Sequence, residues 1–183
     1  MMQRVYTGVG SRKTPDAICS AMRRAAARLA SSHWLRSGGA QGADRAFEEG
    51  AREGGGRAVI YLPWAATHSR LHEDSDRFHY VVGASDRAHE IAQRFHPAWD
   101  RCSPAARLLH ARNVYQVLGK TLDRPTGCVV CWTQDGVDLG GTAMAIKVAR
   151  HAGIPICNVG SPAFQGRSID WIVSEVCKFV ADR

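Results

Sequence analysis

The chain has 183 residues, 45% hydrophobic and 22% charged, with a formal net charge of +7. That length suits one domain around one core, and that balance disfavours both disorder and a membrane span. The positive excess points to polyanionic partners and carries no information about fold.

Met1-Met2-Gln3-Arg4 leads into a short apolar run without the extended apolar stretch of a signal peptide, so cytosol is the expected location. Arg4 to Val9 reads as a first strand, and Gly10-Ser11-Arg12-Lys13 as the turn that ends it. Thr14 is placed to cap a helix whose first position is Pro15 and which runs to about Ser31. Ile18, Met22, Ala25, Ala26 and Leu29 recur at helical spacing and predict a face packed on a sheet.

Trp34 to Ser37 is short enough for a buried strand, and Gly38-Gly39-Ala40-Gln41-Gly42-Ala43-Asp44 breaks it before a helix carrying Ala46, Phe47 and Gly50. Gly54-Gly55-Gly56 ends that helix, and Ala58 to Leu62 is an apolar strand stopped by Pro63. Residues 64–102 are less regular, rich in His and Asp, with one helix expected from Ser85 to Phe95; they read as an insertion over the sheet edge.

Ser103-Pro104 starts a helix in which Ala106, Leu109, Val114, Val117 and Leu118 make a buried stripe, with Arg112 and Asn113 between stripe positions and Gly119 at the end. Cys128 to Trp132 is another buried strand, Thr133 to Gly140 a polar loop, and Gly141-Thr142 opens a helix through Ala152. Ile154 to Val159 supplies the next strand and Ser168 to Ala181 a final helix. Alternating apolar strands and helices predict an α/β, Rossmann-like three-layer sandwich over residues 1–183, its sheet mainly parallel and helices on both faces.

Three strand ends carry residues that leave backbone N–H groups free: Gly8-Val9-Gly10-Ser11-Arg12, Ser37-Gly38-Gly39-Ala40-Gln41-Gly42 and Gly140-Gly141-Thr142. Glycine lets main chain approach a phosphate, a helix N-terminus adds partial positive charge, and parallel sheets bind ligands at their carboxyl ends. Arg12 reads either as a phosphate donor or as a surface arginine, and Asp44 either as a helix cap or as an acceptor for a ribose hydroxyl or base edge. Trp64 and Trp132 are candidates for stacking on a base, or for core.

The six cysteines, Cys19, Cys102, Cys128, Cys131, Cys157 and Cys177, are scattered through apolar segments and read as reduced. Cys128-x-x-Cys131 spans one strand, where positions three apart point to opposite faces, which disfavours a redox pair. His68 and His72, with His79 and Cys102, make only a loose zinc-ligand set, so neither a metal nor a cofactor is expected.

Gly10-Ser11-Arg12, Ser37 to Asp44, Ala111-Arg112-Asn113 and Gly140-Gly141-Thr142-Ala143, in that order, resemble the motif series of the DprA/Smf recombination mediators and their relatives in the SLOG superfamily. The superfamily includes LOG-type nucleotide phosphoribohydrolases and short stand-alone proteins, many phage-borne. The resemblance covers about residues 4 to 160 and implies a Rossmann-like fold, often dimeric, with a pocket for a nucleotide or single-strand phosphates. Arg112 and Asn113 would then join Arg12 on the phosphates, with Lys13 and Lys147 as further candidates.

LOG-type hydrolases place a catalytic glutamate shortly after Gly-Thr, whereas here Ala143-Met144-Ala145-Ile146-Lys147 follows Thr142. Glu48, Glu49, Asp135 and Asp138 are the carboxylates that could substitute. Three readings follow: a DprA-like binder of single-stranded nucleic acid or nucleotide phosphate, a nucleoside 5'-monophosphate phosphoribohydrolase, and a sensor or sink for a small signalling nucleotide.

Overall fold

In the computed structural model, which describes residues 4–65 and 76–183, the apolar segments form six strands. They are β1 (Val5–Gly10), β2 (Trp34–Ser37), β3 (Ala58–Leu62), β4 (Phe78–Val82), β5 (Cys128–Trp132) and β6 (Ile156–Asn158). All five pairings are parallel, and the order is β4-β3-β2-β1-β5-β6. The direction of strand addition therefore reverses between β1 and β5, which opens a crevice at their carboxyl ends.

Among the described residues α1 (Asp16–Leu29), α2 (Ala43–Glu53), α3 (Asp86–Phe95), α4 (Pro104–Leu118) and α5 (Thr142–His151) lie between strands, and α6 (Ile169–Ala181) follows the last one. Side chains alternate along each strand, so the sheet feeds two cores. Tyr6, Leu35, Ile60, Cys128 and Val130 meet Met22, Phe47 and Val173 from α1, α2 and α6. Val9, Tyr61, Val129 and Cys131 meet Ala92, Val114 and Ile146 from α3, α4 and α5. Cys128 and Cys131 thus lie on opposite faces of one strand, as their spacing requires, and all six cysteines are free thiols.

β2, β3 and β5 have the bounds expected from sequence, while β1 is displaced by one residue. β6 is shorter than Ile154 to Val159 because Ile154 N–H still closes the turn after α5 onto Ala149 O, and Pro155 has no N–H to donate. Thr14 does not cap α1: the cap position is Pro15, and the Thr14 hydroxyl donates to Ser11 O (2.6 Å). Within 64–102 the Ser85-capped helix α3 is present, but Phe78–Val82 adds an edge strand to the sheet, paired with β3. Its exposed His79 and Val82 mark it as an edge and interrupt the apolar run that would have identified it.

α4 departs furthest from its expected pattern. Ala106, Leu109 and Leu118 are half-buried, whereas every residue from Ala111 to Val117 is buried, Arg112, Asn113 and Gln116 included. The helix is flanked by α3 and α5 and backed by β2 and β3, so its C-terminal half has no solvent face. Among the described residues no helix is long and apolar enough to cross a membrane.

Candidate functional site

A cavity of about 760 Å³ lies at the carboxyl ends of β1 and β5. Gly10, Ser11, Arg12 and Lys13 form one wall, and Asp138, Gly140, Gly141 and Thr142 another. Ala40 enters from the β2–α2 loop, Asp44 from the first turn of α2, and His110, Arg112, Asn113 and Gln116 from α4. Phe95, His96 and Pro97, at the end of α3, and Lys147 from α5 complete the lining. A second depression of about 610 Å³ beside β6, between Arg150, Phe164 and Phe179, contains none of the residues marked from sequence.

The floor is a buried polar network. Asp44, 3% exposed, accepts from Gly10 N–H at Oδ1 (2.9 Å), and its Oδ2 lies 3.8 Å from Arg112 Nη1. The Gln116 amide is oriented by its neighbours: its oxygen accepts from Arg112 Nη1 and Gly38 N–H (3.0 Å each), and its nitrogen donates to Asn113 Oδ1 (3.1 Å). Asn113 Nδ2 in turn donates to Gly141 O (2.8 Å), which ties the β5–α5 loop to the same network. Gly42, not Asp44, holds the α2 cap position; the Asp44 carboxylate lines the cavity and ties the ends of β1 and β2 through the Gly10 and Gly38 N–H groups.

Burial lifts the Asp44 carboxyl to about 6, against the pull of Arg112 and of the Gly10, Ala40 and Gly38 N–H groups. Burial also depresses the Arg112 guanidinium, whose charge Asp44 supports and Arg12 opposes. Arg112 Nε has no hydrogen-bond partner among the described residues. An unpaired buried donor at the base of a cavity is a place where an incoming acceptor gains a hydrogen bond at little desolvation cost.

Two glycines let the loops meet this closely. Gly42 adopts φ 80°, ψ −128°, and a Cβ there would stand 2.5 Å from Ser11 O. A Cβ on Gly38 would fall 1.5 Å from Arg112 Nη1. Ser37, Gly38, Gly39 and Gly42 thus shape the site without lining it; Ser37 is buried and donates through Oγ to Gly8 O (2.6 Å).

Trp132 does not line the cavity. Alternation after Cys131 sends its indole to the α1, α2 and α6 side, while its carbonyl accepts from Ser11 N–H (3.2 Å). Trp64 is likewise absent from the lining. Glu48 is buried against Tyr80 and Arg52, and Glu49 pairs with Arg45 and Arg23, both away from the cavity. Asp135 lies outside the lining, and Asp138, within it, is held by Arg150. Among the described residues, the cations Arg12, Lys13, Arg112 and Lys147 thus share the lining with two carboxylates, Asp44 and Asp138, each beside an arginine.

Gln116, His96 and His110 were not marked from sequence. His110, Asn113 and Gln116 recur every third residue along α4, interleaved with the apolar positions Leu109, Val114 and Val117 rather than on a separate face. His68 and His72 lie outside the described residues, His79 is exposed on β4, and Cys102 groups instead with His96 and His110.

No family model matches the chain, and no curated protein sequence matches it. Among solved structures it is similar to DNA processing protein A (DprA) from Streptococcus pneumoniae, with TM-score 0.60 and 17% identity over 98% of this chain and 56% of that one. The chain therefore spans little more than half of that protein. It is also similar to the molybdenum cofactor carrier protein of Chlamydomonas reinhardtii, with TM-score 0.57 and 16% identity over 99% of both chains. The likeness is one of fold, a Rossmann-like α/β architecture with a parallel sheet.

Proposed function

We propose that the cavity binds the phosphate of a nucleotide, without turnover. The observation that carries this reading is the convergence of three glycine-bearing strand ends and of Arg12, Lys13, Arg112 and Lys147 on one cavity at the β1–β5 switch. The α5 N-terminus opens into the same space at Thr142 and adds its partial positive charge. The volume falls within the roughly 300–1,000 Å³ of small-molecule sites, which suits one nucleotide better than a length of strand. Both carboxylates in the lining sit beside arginines, which argues against a free general base and against the phosphoribohydrolase reading.

A second reading rests on the rim. Arg12 and Lys13 are exposed at the mouth, the chain carries a net charge of +7, and one structural neighbour is a DNA-processing protein. A single strand would then place one nucleotide in the cavity and run its flanking phosphates over these two cations.

Calorimetric titration with nucleoside mono- and diphosphates, and with an oligodeoxythymidylate at two salt concentrations, tests both. Saturable nucleotide binding that Arg12→Ala weakens by roughly tenfold or more, with no release of free base, supports the pocket reading. Tighter, salt-sensitive oligonucleotide binding moves the assignment to the strand. Base release, or no binding of either probe, overturns both.

A further inference from the structure

We propose that His96, Cys102 and His110 form a site for one zinc-class divalent ion in the wall of the cavity, with its fourth position open to the ligand. The three side chains each offer one donor atom, and these atoms lie within 4.8 Å of one another. Cys102 Sγ is 3.6 and 3.7 Å from the two His96 ring nitrogens, and the His96 and His110 rings are 4.4 Å apart at their centroids. Zinc bonds of about 2.3 Å to sulfur and 2.0–2.1 Å to nitrogen at a tetrahedral angle separate the two donors by about 3.5–3.6 Å. The sulfur stands at the distance from an imidazole nitrogen that a shared ion requires, and because it lies beside the face of the His96 ring, about equally far from both nitrogens, ligation also requires that ring to rotate.

The fold holds these groups together for reasons of its own. His96 is the C-cap of α3, Cys102 directly precedes the Ser103 cap of α4, and His110 lies farther along α4. Buried Trp99, in the short turn between the helices, sits edge-on to His96 (6.1 Å) and tilted to His110 (6.5 Å). The second, independent observation is an orphan: His110 Nδ1 is buried and has no hydrogen-bond partner among the described residues. The bonds that a metal would displace are long ones, from Ala98 N–H to His96 Nδ1 (3.2 Å) and from the Cys102 thiol to Ala98 O (3.6 Å).

Among the described residues the set has three protein ligands, the number of an open site rather than of a closed four-ligand structural one. His96 and His110 both line the cavity, so the remaining position faces the space that the phosphate is proposed to occupy. The thiolate offsets one of the two metal charges, and the remaining positive charge adds to that of Lys147 and Arg112. The metal assignment itself does not depend on the nucleotide reading.

The test uses the full-length chain stripped of metal with a chelator and titrated with Co²⁺, followed by Zn²⁺ displacement. The expected result is one equivalent of Co²⁺ with a thiolate-to-cobalt charge-transfer band and tetrahedral ligand-field intensity. Cys102→Ser abolishes the charge-transfer band, His110→Ala weakens binding by roughly tenfold or more, and Cys19→Ser changes neither. Circular dichroism of the variants separates lost ligation from lost folding, and two independent ligand substitutions guard against failure of either one. Inorganic phosphate shifts the ligand-field bands if the fourth position is open. No Co²⁺ binding, or a charge-transfer band that survives Cys102→Ser, overturns the site. Bands that phosphate leaves unmoved overturn its open position, and that result is distinct from failure of the nucleotide titration.

Discussion

Arg112 reaches toward Asp44 across the cavity floor, Nη1 to Oδ2 at 3.8 Å, with both side chains almost wholly removed from solvent. The separation is too long for a hydrogen-bonded pair, and Gln116 fills the arrangement by accepting from the same guanidinium nitrogen. The carboxylate therefore ionises in a place where burial opposes it more than the arginine helps it.

A pH dependence follows from that imbalance. The folded-state value of about 6 lies above the ordinary 3.8, so the folded chain holds this proton more tightly than the unfolded one. The stability contribution of Asp44 is fully present below pH 3.8, declines between 3.8 and about 6, and is constant above. The shift corresponds to about 3 kcal/mol. Urea midpoints of wild type and Asp44→Asn, compared across this range, give a difference that falls with rising pH; a flat difference would remove Asp44 as the titrating group.

Arg112→Met and Asp44→Ala are each expected to destabilise the fold by roughly 3–5 kcal/mol, because each leaves the opposite charge buried without its partner. Combining Arg112→Met with Asp44→Ala leaves no unpaired charge, and the double variant should lose less than the sum of the singles. Strict additivity in a denaturation cycle would show that the two charges do not interact.

The loop glycines separate steric from functional demands. Gly42→Ala meets Ser11 O at 2.5 Å in a left-handed conformation, whereas Gly140→Ala, at φ 69°, meets nothing within 4 Å. The first should cost more than about 2 kcal/mol and the second about 1 kcal/mol, the backbone contribution alone. Thermal unfolding of the two proteins side by side measures the difference; equal costs would mean that the β1 and β2 loops can part freely.

Cysteine labelling reads out the two cores. Burial pushes the Cys128 and Cys157 thiols up to about 12 and that of Cys131 upward as well, so none offers a reactive thiolate at neutral pH. Mass spectrometry after brief alkylation of the metal-stripped native chain should find modification confined to the half-buried Cys19, Cys102 and Cys177, with the other three modified only after denaturation. Early labelling of Cys131 would show that the α3, α4 and α5 face opens easily.

The strands and glycine turns were legible because their signals are local. Ser37 stands before Gly38-Gly39 and Leu62 before Pro63, and both β2 and β3 stop where those residues say. β4 escaped because an edge strand needs only one good face, and His79 breaks the apolar run on the other. Trp132 was placed at the site by its position at a strand end, but period-two alternation turns it to the opposite core. Arg112 and Asn113 were found by motif order, yet their burial and their link through Gln116 depend on how α4 is wedged between α3 and α5, which no window of sequence contains. His96 and His110 come together only through the turn that joins α3 to α4.

The register between β1 and β5 aligns Tyr6 with Cys128 and Gly10 with Trp132, so the central pairing of the sheet joins the beginning of the chain to its final third. β1 to β4 can assemble from neighbouring segments as they emerge during synthesis, but β5 docks only after everything up to residue 132 has been made. Closing so long a loop is entropically expensive and slow. The crevice is therefore among the last features of the molecule to exist, and ligand capture in a refolding experiment times the arrival of β5, well after helical signal has returned.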